Sequence, residues 1–272
     1  MSDLAPSIAV VGAGKMGSAL LAGLGEGEKL GRVLVIEPSP AEELIALCRA
    51  KGFALQAGVE AAAAPVDALA LAIKPQMLDA AAPALGPLVG PDTLVLSILA
   101  GKRVADLAAR LPARAFVRAM PNTPAAIGRG VTGAYASIGT RPEQRALAQA
   151  LLSAVGSVEW VEREEWIDAV TAVSGSGPAY VFYLAECLAE AGVAAGLPQD
   201  LASRLARATV EGAGELMHRS PDASPGRLRE NVTSPGGTTA AALGVLMGDD
   251  GLKPLLTQAV AASKRRAAEL SG

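Results

Sequence analysis

The chain has 272 residues, enough to bury a large core and, at ordinary domain sizes, to make two domains. A formal net charge of -3 excludes the basic footprint of a nucleic-acid binder, and with 3% aromatic residues the core must be built from aliphatic and small side chains. One histidine, His218, with no cysteine or second histidine near it, argues against a dedicated zinc site; its place near a helix end suits a solvated imidazole.

The start, MSDLAPSIAVVGAG, has no basic segment, apolar run and cleavage site, so no secretory leader is expected and a cytoplasmic location is. Ser7–Val11 reads as a strand. Gly12-Ala13-Gly14-Lys15-Met16-Gly17 follows at once and opens a helix that includes Ser18–Leu24. At that spacing Gly12 permits a tight turn, Gly14 lets a pyrophosphate approach the backbone, and Gly17 lets the helix pack closely on the sheet. Arg32–Ile36 is a second strand ended by Glu37, twenty residues after Gly17, where an acid accepts hydrogen bonds from an adenosine ribose. Strand, glycine run, helix and acid together predict a dinucleotide site.

Helical AEELIALCRAKG comes next, then the strands Ala68–Ile73, Leu94–Ile98 and Ala115–Arg118. Continuous apolar strands separated by helices predict a parallel sheet covered on both faces. Ile73 ends its strand, and Lys74 and Pro75, Ala100 and Gly101, and Met120 to Pro124 follow strands, on the edge where such sheets bind ligands. Lys74 reads as a phosphate-side or solvent contact beside a proline-shaped loop rather than as a base. A helix over Pro142–Val155 and a strand over Ser157–Val161 finish this half.

From Trp166 onward no strand pattern appears, which puts a domain boundary between residues 163 and 164. The least charged stretch, Ala169 to Ala185, is broken by Ser174, Gly175, Ser176, Gly177 and Pro178 and makes a poor membrane span. Gly177-Pro178 opens a helix that Gly196-Leu197-Pro198 ends; helices over Asp200–His218 and Leu252–Leu270 follow. Between them lies NVTSPGGTTAAAL. Its Pro235, Gly236 and Gly237 cannot be a helix interior, while the two threonines begin one, so bare amides and hydroxyls would meet at a helix N-terminus, as in an anion site or a simple capped helix. Cys48 and Cys187 lie far apart in helical surroundings and read as small hydrophobes in a reducing compartment. No Ser/His/Asp, Cys/His or paired-carboxylate set is visible, which agrees with hydride transfer, where a cofactor carries the electrons.

Five stretches in order, IAVVGAGKMG, AIKPQ, RAMPNTPAAIGRG, DAVTAVSGSGPAY and NVTSPGGTTAAAL, resemble the pyrroline-5-carboxylate reductase family over essentially the whole chain. The resemblance implies an α/β Rossmann domain over residues 1–163, a doubly wound sheet, followed by an all-α dimerisation and substrate domain over 164–272. It implies reduction of 1-pyrroline-5-carboxylate to L-proline by NADPH or NADH. A homodimer would interlock through the helices, with rings of five dimers a further possibility; no nucleic acid or membrane partner is implied.

By position, Gly12 through Gly17, Ser39, Lys74, Pro75 and Ala100 would hold the cofactor, and Met120 and Asn122 would lie toward its nicotinamide. Ser176, Ser234, Gly236, Gly237 and Thr238 would form the substrate pocket, and Thr239 would face the imine nitrogen as the catalytic residue. Where the family often has a ribose-side asparagine, this chain has Val59. Glu37, with no lysine or arginine before Arg49, would repel a 2′-phosphate, so NADH is expected to serve at least as well as NADPH.

A β-hydroxyacid dehydrogenase would share the two-domain plan but use a helix lysine, and the second half has none before Lys253. A nicotinamide-sensing regulator would need a basic DNA-reading module. Neither pattern is present.

Overall fold

The structure, a computed structural model, describes residues 5–25, 30–60 and 63–271; the first four residues of the start read above lie outside the described residues. Contacts divide the chain into two compact units, residues 1–175 with 263–272, and residues 176–262.

The first unit is built on one eight-stranded sheet: β1 (Ile8–Val11), β2 (Val33–Ile36), β3 (Ala54–Gln56), β4 (Ala68–Leu71), β5 (Leu94–Ser97), β6 (Ala115–Met120), β7 (Gly130–Ala136) and β8 (Gly156–Trp160). Their spatial order is β3-β2-β1-β4-β5-β6-β7-β8. The first six stand in the dinucleotide-fold order, with the reversal between β1 and β4. β1 pairs in parallel with both β2 and β4, Val11 lying opposite Ile36 on one side and Leu71 on the other. The three strands therefore end at one level, and the residues after them share one rim.

The unbroken apolar strands follow from burial on both faces. Ile8 and Val10 of β1 join Val33, Val35, Leu94 and Leu96 in one core beneath α1 (Lys15–Gly23), α2 (Glu42–Lys51) and α5 (Pro142–Ser153). Ala9 and Val11 join Leu34, Leu69, Leu71 and Val95 in the other, with Leu78 and Leu85 of α3 (Leu78–Leu85) and Leu107 of α4 (Val104–Ala108). Successive strand side chains point to opposite faces, so a strand covered on both must be apolar throughout. Each buried Leu or Val contributes about 1.5–3 kcal/mol from leaving water. The expected doubly wound α/β fold is present.

Three features differ from the sequence expectation. β3 is a three-residue strand, too short for a pattern. β7 was not expected, and it runs antiparallel to β6. Its glycines weaken a strand signal, yet close approach needs them: a Cβ on Gly133 would lie 2.4 Å from Val170 Cγ1, and one on Gly130 would lie 2.7 Å from the Val155 carbonyl oxygen. The compact units divide by packing at residue 175, twelve residues beyond the change of pattern at 163/164. α6 (Trp166–Val170) packs on β6 and β7, with Ile167 and Asp168 buried, so its first helical turns count with the sheet. The second half of α11 (Leu252–Ser271), from Ser263 on, does too: the Leu270 carbonyl oxygen lies 2.6 Å from a Cβ built on Gly101.

The second unit contains α7 (Gly177–Ala194), α8 (Gln199–Arg219), α9 (Pro225–Asn231), α10 (Thr238–Leu246) and the start of α11. Gly196 N–H donates to Val193 O and Leu197 N–H to Gly192 O, the paired bonds that close a helix end at the expected glycine. Among its described residues the buried hydrophobics are Ala189, Ala202 and Ala206, while Phe182, Tyr183, Leu205 and Leu216 are exposed. Three alanines do not make a core. No described helix is long and apolar enough to cross a membrane.

Candidate active site

Two groups of residues were expected to carry function, and the structure places one in each unit. In the first, Gly12 turns the chain at the end of β1 with φ +88°, a conformation that a side chain resists, and a Cβ there would stand 2.8 Å from the Ala72 carbonyl oxygen. Gly17 lies inside α1, where a Cβ would come within 2.3 Å of the Gly12 carbonyl oxygen. Gly14 has open space, with no atom within 4 Å of its would-be Cβ. Gly12 thus serves the turn and Gly17 the close packing that the spacing predicted, and Gly14 leaves the space beside the turn open.

The helical ladder of α1 begins at Ser18 N–H, which donates to Gly14 O at 2.8 Å. The amides of Lys15, Met16 and Gly17 precede it and face out of the helix start, where partial positive charge favours an anion. Lys15 is exposed and Met16 half-buried at the same start.

A cavity of about 390 Å³ opens beside this turn, and its lining includes Gly12, Gly14, Glu37, Pro38, Val59, Ile73, Lys74 and Met77. The carboxylate of Glu37 accepts from Ala13 N–H at 2.9 Å and from Ser39 N–H at 3.2 Å. The cavity thus joins glycine turn, acid and β4 end at the reversal of strand order. A cradle that a Cβ would obstruct, a row of outward amides and a fixed acid fit a dinucleotide: amides to pyrophosphate, carboxylate to ribose.

Pro75 opens a 3-10 turn over Pro75–Met77, which carries Lys74 and Met77 at the cavity wall. Ser39, Ala100, Met120 and Asn122 are not among the residues that line it. Met120 and Asn122 are buried at the end of β6. Asn122 Nδ2 donates to Ser174 O at 3.1 Å and its Oδ1 accepts from Val131 N–H at 3.0 Å, so its amide ties β6 to β7 and to the π-helical turn Thr171–Gly175. Gly175 in that turn packs near Met120, whose Cγ lies 3.7 Å from a built Cβ. Sequence reasoning missed Ala57 and Gly58, which line the cavity after β3. Only the glycine hinted at them.

In the second unit, Ser234 to Gly237 form a turn closed by Gly237 N–H to Ser234 O at 3.0 Å. Pro235 and Gly236, with φ +70° at Gly236, occupy the central positions of a type II turn, which needs glycine there. Gly237 caps α10 through an extended backbone and no side-chain bond. The ladder begins at Ala241 N–H to Gly237 O at 3.1 Å, which leaves the amides of Thr238, Thr239 and Ala240 at the helix start. Thr239 is half-buried there and Thr238 exposed, and Ser176 precedes α7. The arrangement offers amides and hydroxyls to a small anion. Among the described residues there is no cluster of three metal-ligating side chains.

The comparisons bear on both units. Residues 164–270 match the family model described as pyrroline-5-carboxylate reductase dimerisation, and residues 7–101 match one described as NADP oxidoreductase coenzyme F420-dependent. A curated pyrroline-5-carboxylate reductase of Pseudomonas aeruginosa is 40% identical over 98% of this chain and 97% of its own. One of Synechocystis is 46% identical over 75% of each. The solved pyrroline-5-carboxylate reductase of Coxiella burnetii superposes with a TM-score of 0.89 at 34% identity, covering 98% of this chain and 99% of its own. A Plasmodium falciparum pyrroline carboxylate reductase, solved with NADP bound, gives 0.78 at 26% identity and 98% of each chain.

Proposed function

This chain belongs to the pyrroline-5-carboxylate reductase family, and on that premise we propose that it reduces 1-pyrroline-5-carboxylate to L-proline, the last step of proline biosynthesis, in the cytoplasm. The observation that carries this most directly is the type II turn feeding bare amides into α10 with Thr239 in its first turn. The amides around Gly237 and Thr238 hold the substrate carboxylate, Ser234 and Ser176 border the pocket, and Gly236 lets the turn close. The Thr239 hydroxyl bonds the imine nitrogen and orients the C=N bond. A nicotinamide dinucleotide, when bound, would supply hydride chemistry at the imine carbon; the imine takes its proton on nitrogen from water, and the C=N electron pair becomes the lone pair of the amine. An iminium is already a good hydride acceptor, so no strong acid is needed.

The glycine turn and the amides of Lys15 to Gly17 hold the pyrophosphate, and Glu37 holds the adenosine ribose. Lys74 and Pro75 shape the wall beside it, and Ala100 borders the same rim. Met120 and Asn122 set the floor toward the nicotinamide. The division of labour at residues 163/164 then separates a cofactor domain from a domain for substrate and self-association. Exposed Phe182, Tyr183 and Leu205 support pairing of the helical half with a second copy, whose helices complete the substrate end; dimers gather further into a ring of five.

The test is a substrate panel on the purified protein, read by nicotinamide absorbance. Consumption of NADH or NADPH with 1-pyrroline-5-carboxylate, and no formation of NADH or NADPH from a 3-hydroxy acid plus oxidised cofactor, is expected. Turnover of the hydroxy acid alone would overturn the reading. So would a fully active monomer at micromolar concentration by light scattering, for the shared site.

A further inference from the structure

We infer that Glu37 makes this protein selective for NADH over NADPH, a step that rests on the dinucleotide part of the reading above. The backbone of Glu37 is tied on both sides: its N–H donates to Gln56 O at 3.0 Å, and the preceding Ile36 carbonyl accepts from Gly12 N–H at 2.9 Å. Its carboxylate is held as well. One oxygen accepts from Ala13 N–H at 2.9 Å and the other from Ser39 N–H at 3.2 Å. The side chain is therefore part of the glycine turn, and swinging it outward would strip the acceptor from the Ala13 amide.

A carboxylate has about four lone-pair directions, so each oxygen retains acceptor capacity toward the cavity it lines. A ribose diol brings protons to donate. A 2′-phosphate brings negative charge and acceptors to a group that only accepts. The surroundings do not compensate. Glu42 and Glu43 add two acids in the first turn of α2, and no lysine or arginine occurs from Glu37 to Cys48. Lys51, in the last turn of α2, donates to Ala22 O and Leu24 O, both at 2.5 Å. Lys74 is the only cation among the described lining residues, and it comes from the β4 side, with β1 between it and β2. The Ser39 amide, a natural phosphate donor at this position, is taken by Glu37 itself.

Two unit charges ~5 Å apart at an effective dielectric of ~20 disfavour the phosphorylated cofactor by on the order of a hundredfold. Solvent around exposed Ser39 reduces that, so a preference of about tenfold or more for NADH is expected. The experiment measures binding without any imine. Dissociation constants for NADH and NADPH come from calorimetry on the whole protein, and unfolding-temperature shifts compare ADP-ribose with its 2′-phosphate. In Glu37→Gln, which keeps an acceptor for the Ala13 amide and removes the charge, the preference for NADH over NADPH should fall at least several-fold. Lys74→Ala should leave the order of preference intact. Equal or tighter NADPH binding by the wild type overturns the inference whether or not the variants fold. An unchanged ratio in folded Glu37→Gln overturns it equally. Failure on 1-pyrroline-5-carboxylate with the ratio intact would instead strike the proposed substrate.

Discussion

Gly14→Ala and Gly17→Ala add the same methyl group to the same short turn and should fail in opposite ways. A Cβ on Gly17 would lie 2.3 Å from the Gly12 carbonyl oxygen and 3.2 Å from Ala72 Cβ. Ordinary contact starts at 3.4 Å, so α1 must withdraw from the turn by about an ångström. Overpacking of this kind costs about 1–3 kcal/mol, and the obstacle is backbone, which cannot rotate aside. A backbone obstacle puts the cost toward the top of that range, and alanine returns about 1 kcal/mol of helix propensity within α1, leaving a net loss of up to about 2 kcal/mol. At Gly14 no atom lies within 4 Å, and φ -64°, ψ -170° suit alanine. Its fold should lose at most about 1 kcal/mol, mostly from the poorer cap. In the proposed cofactor site the new methyl would stand where a pyrophosphate approaches the helix start, so dinucleotide affinity should fall at least about tenfold. Urea unfolding by circular dichroism gives the first quantity and calorimetric titration with the dinucleotide the second. Wild-type affinity in Gly14→Ala, or wild-type stability in Gly17→Ala, would refute this assignment of the glycines.

Thr239→Ala should lower kcat about 10²-fold, as for loss of one well-placed donor, with circular dichroism unchanged; wild-type kcat and KM would end its catalytic role. Gly237→Val should raise KM for the imine far more than it alters cofactor affinity, and the reverse pattern would move the carboxylate site elsewhere. Asn122→Ala strips partners from the Ser174 carbonyl and the Val131 amide, so unfolding free energy should drop by about 1–3 kcal/mol. An unchanged midpoint in urea would show that water replaces both bonds. Burial pushes the Cys48 thiol above its ordinary range. Its stabilising contribution is complete below the unfolded thiol's pKa and is lost as pH rises through the raised folded value. Labelling of Cys48 by a thiol reagent at pH 8 should therefore follow unfolding, and prompt labelling of folded protein would contradict its burial.

The chain's local chemistry determined a good deal of this protein. Gly12, Gly14 and Gly17 could be assigned three separate tasks from spacing alone, because each task excludes a side chain for a steric reason local to one turn. β1, β2, β4 and β5 were legible because burial on both faces forces unbroken apolar runs. Pro235-Gly236-Gly237 before two threonines dictated a type II turn and a helix start, since proline presets one φ and glycine permits the other. Tertiary structure decided what depends on distant neighbours. β7 was hidden because its glycines answer to Val170 and Val155, residues that sequence proximity does not place there. Asn122 could be placed after β6 from the sequence, but only the fold shows that its side-chain amide bonds partners 9 and 52 residues away. Glu37 was legible as an acid after β2, but only the fold brought the Ala13 amide to it. That bond turns a mobile side chain into a fixed charge, because a strand end and a glycine turn separated in sequence meet at one rim of the sheet.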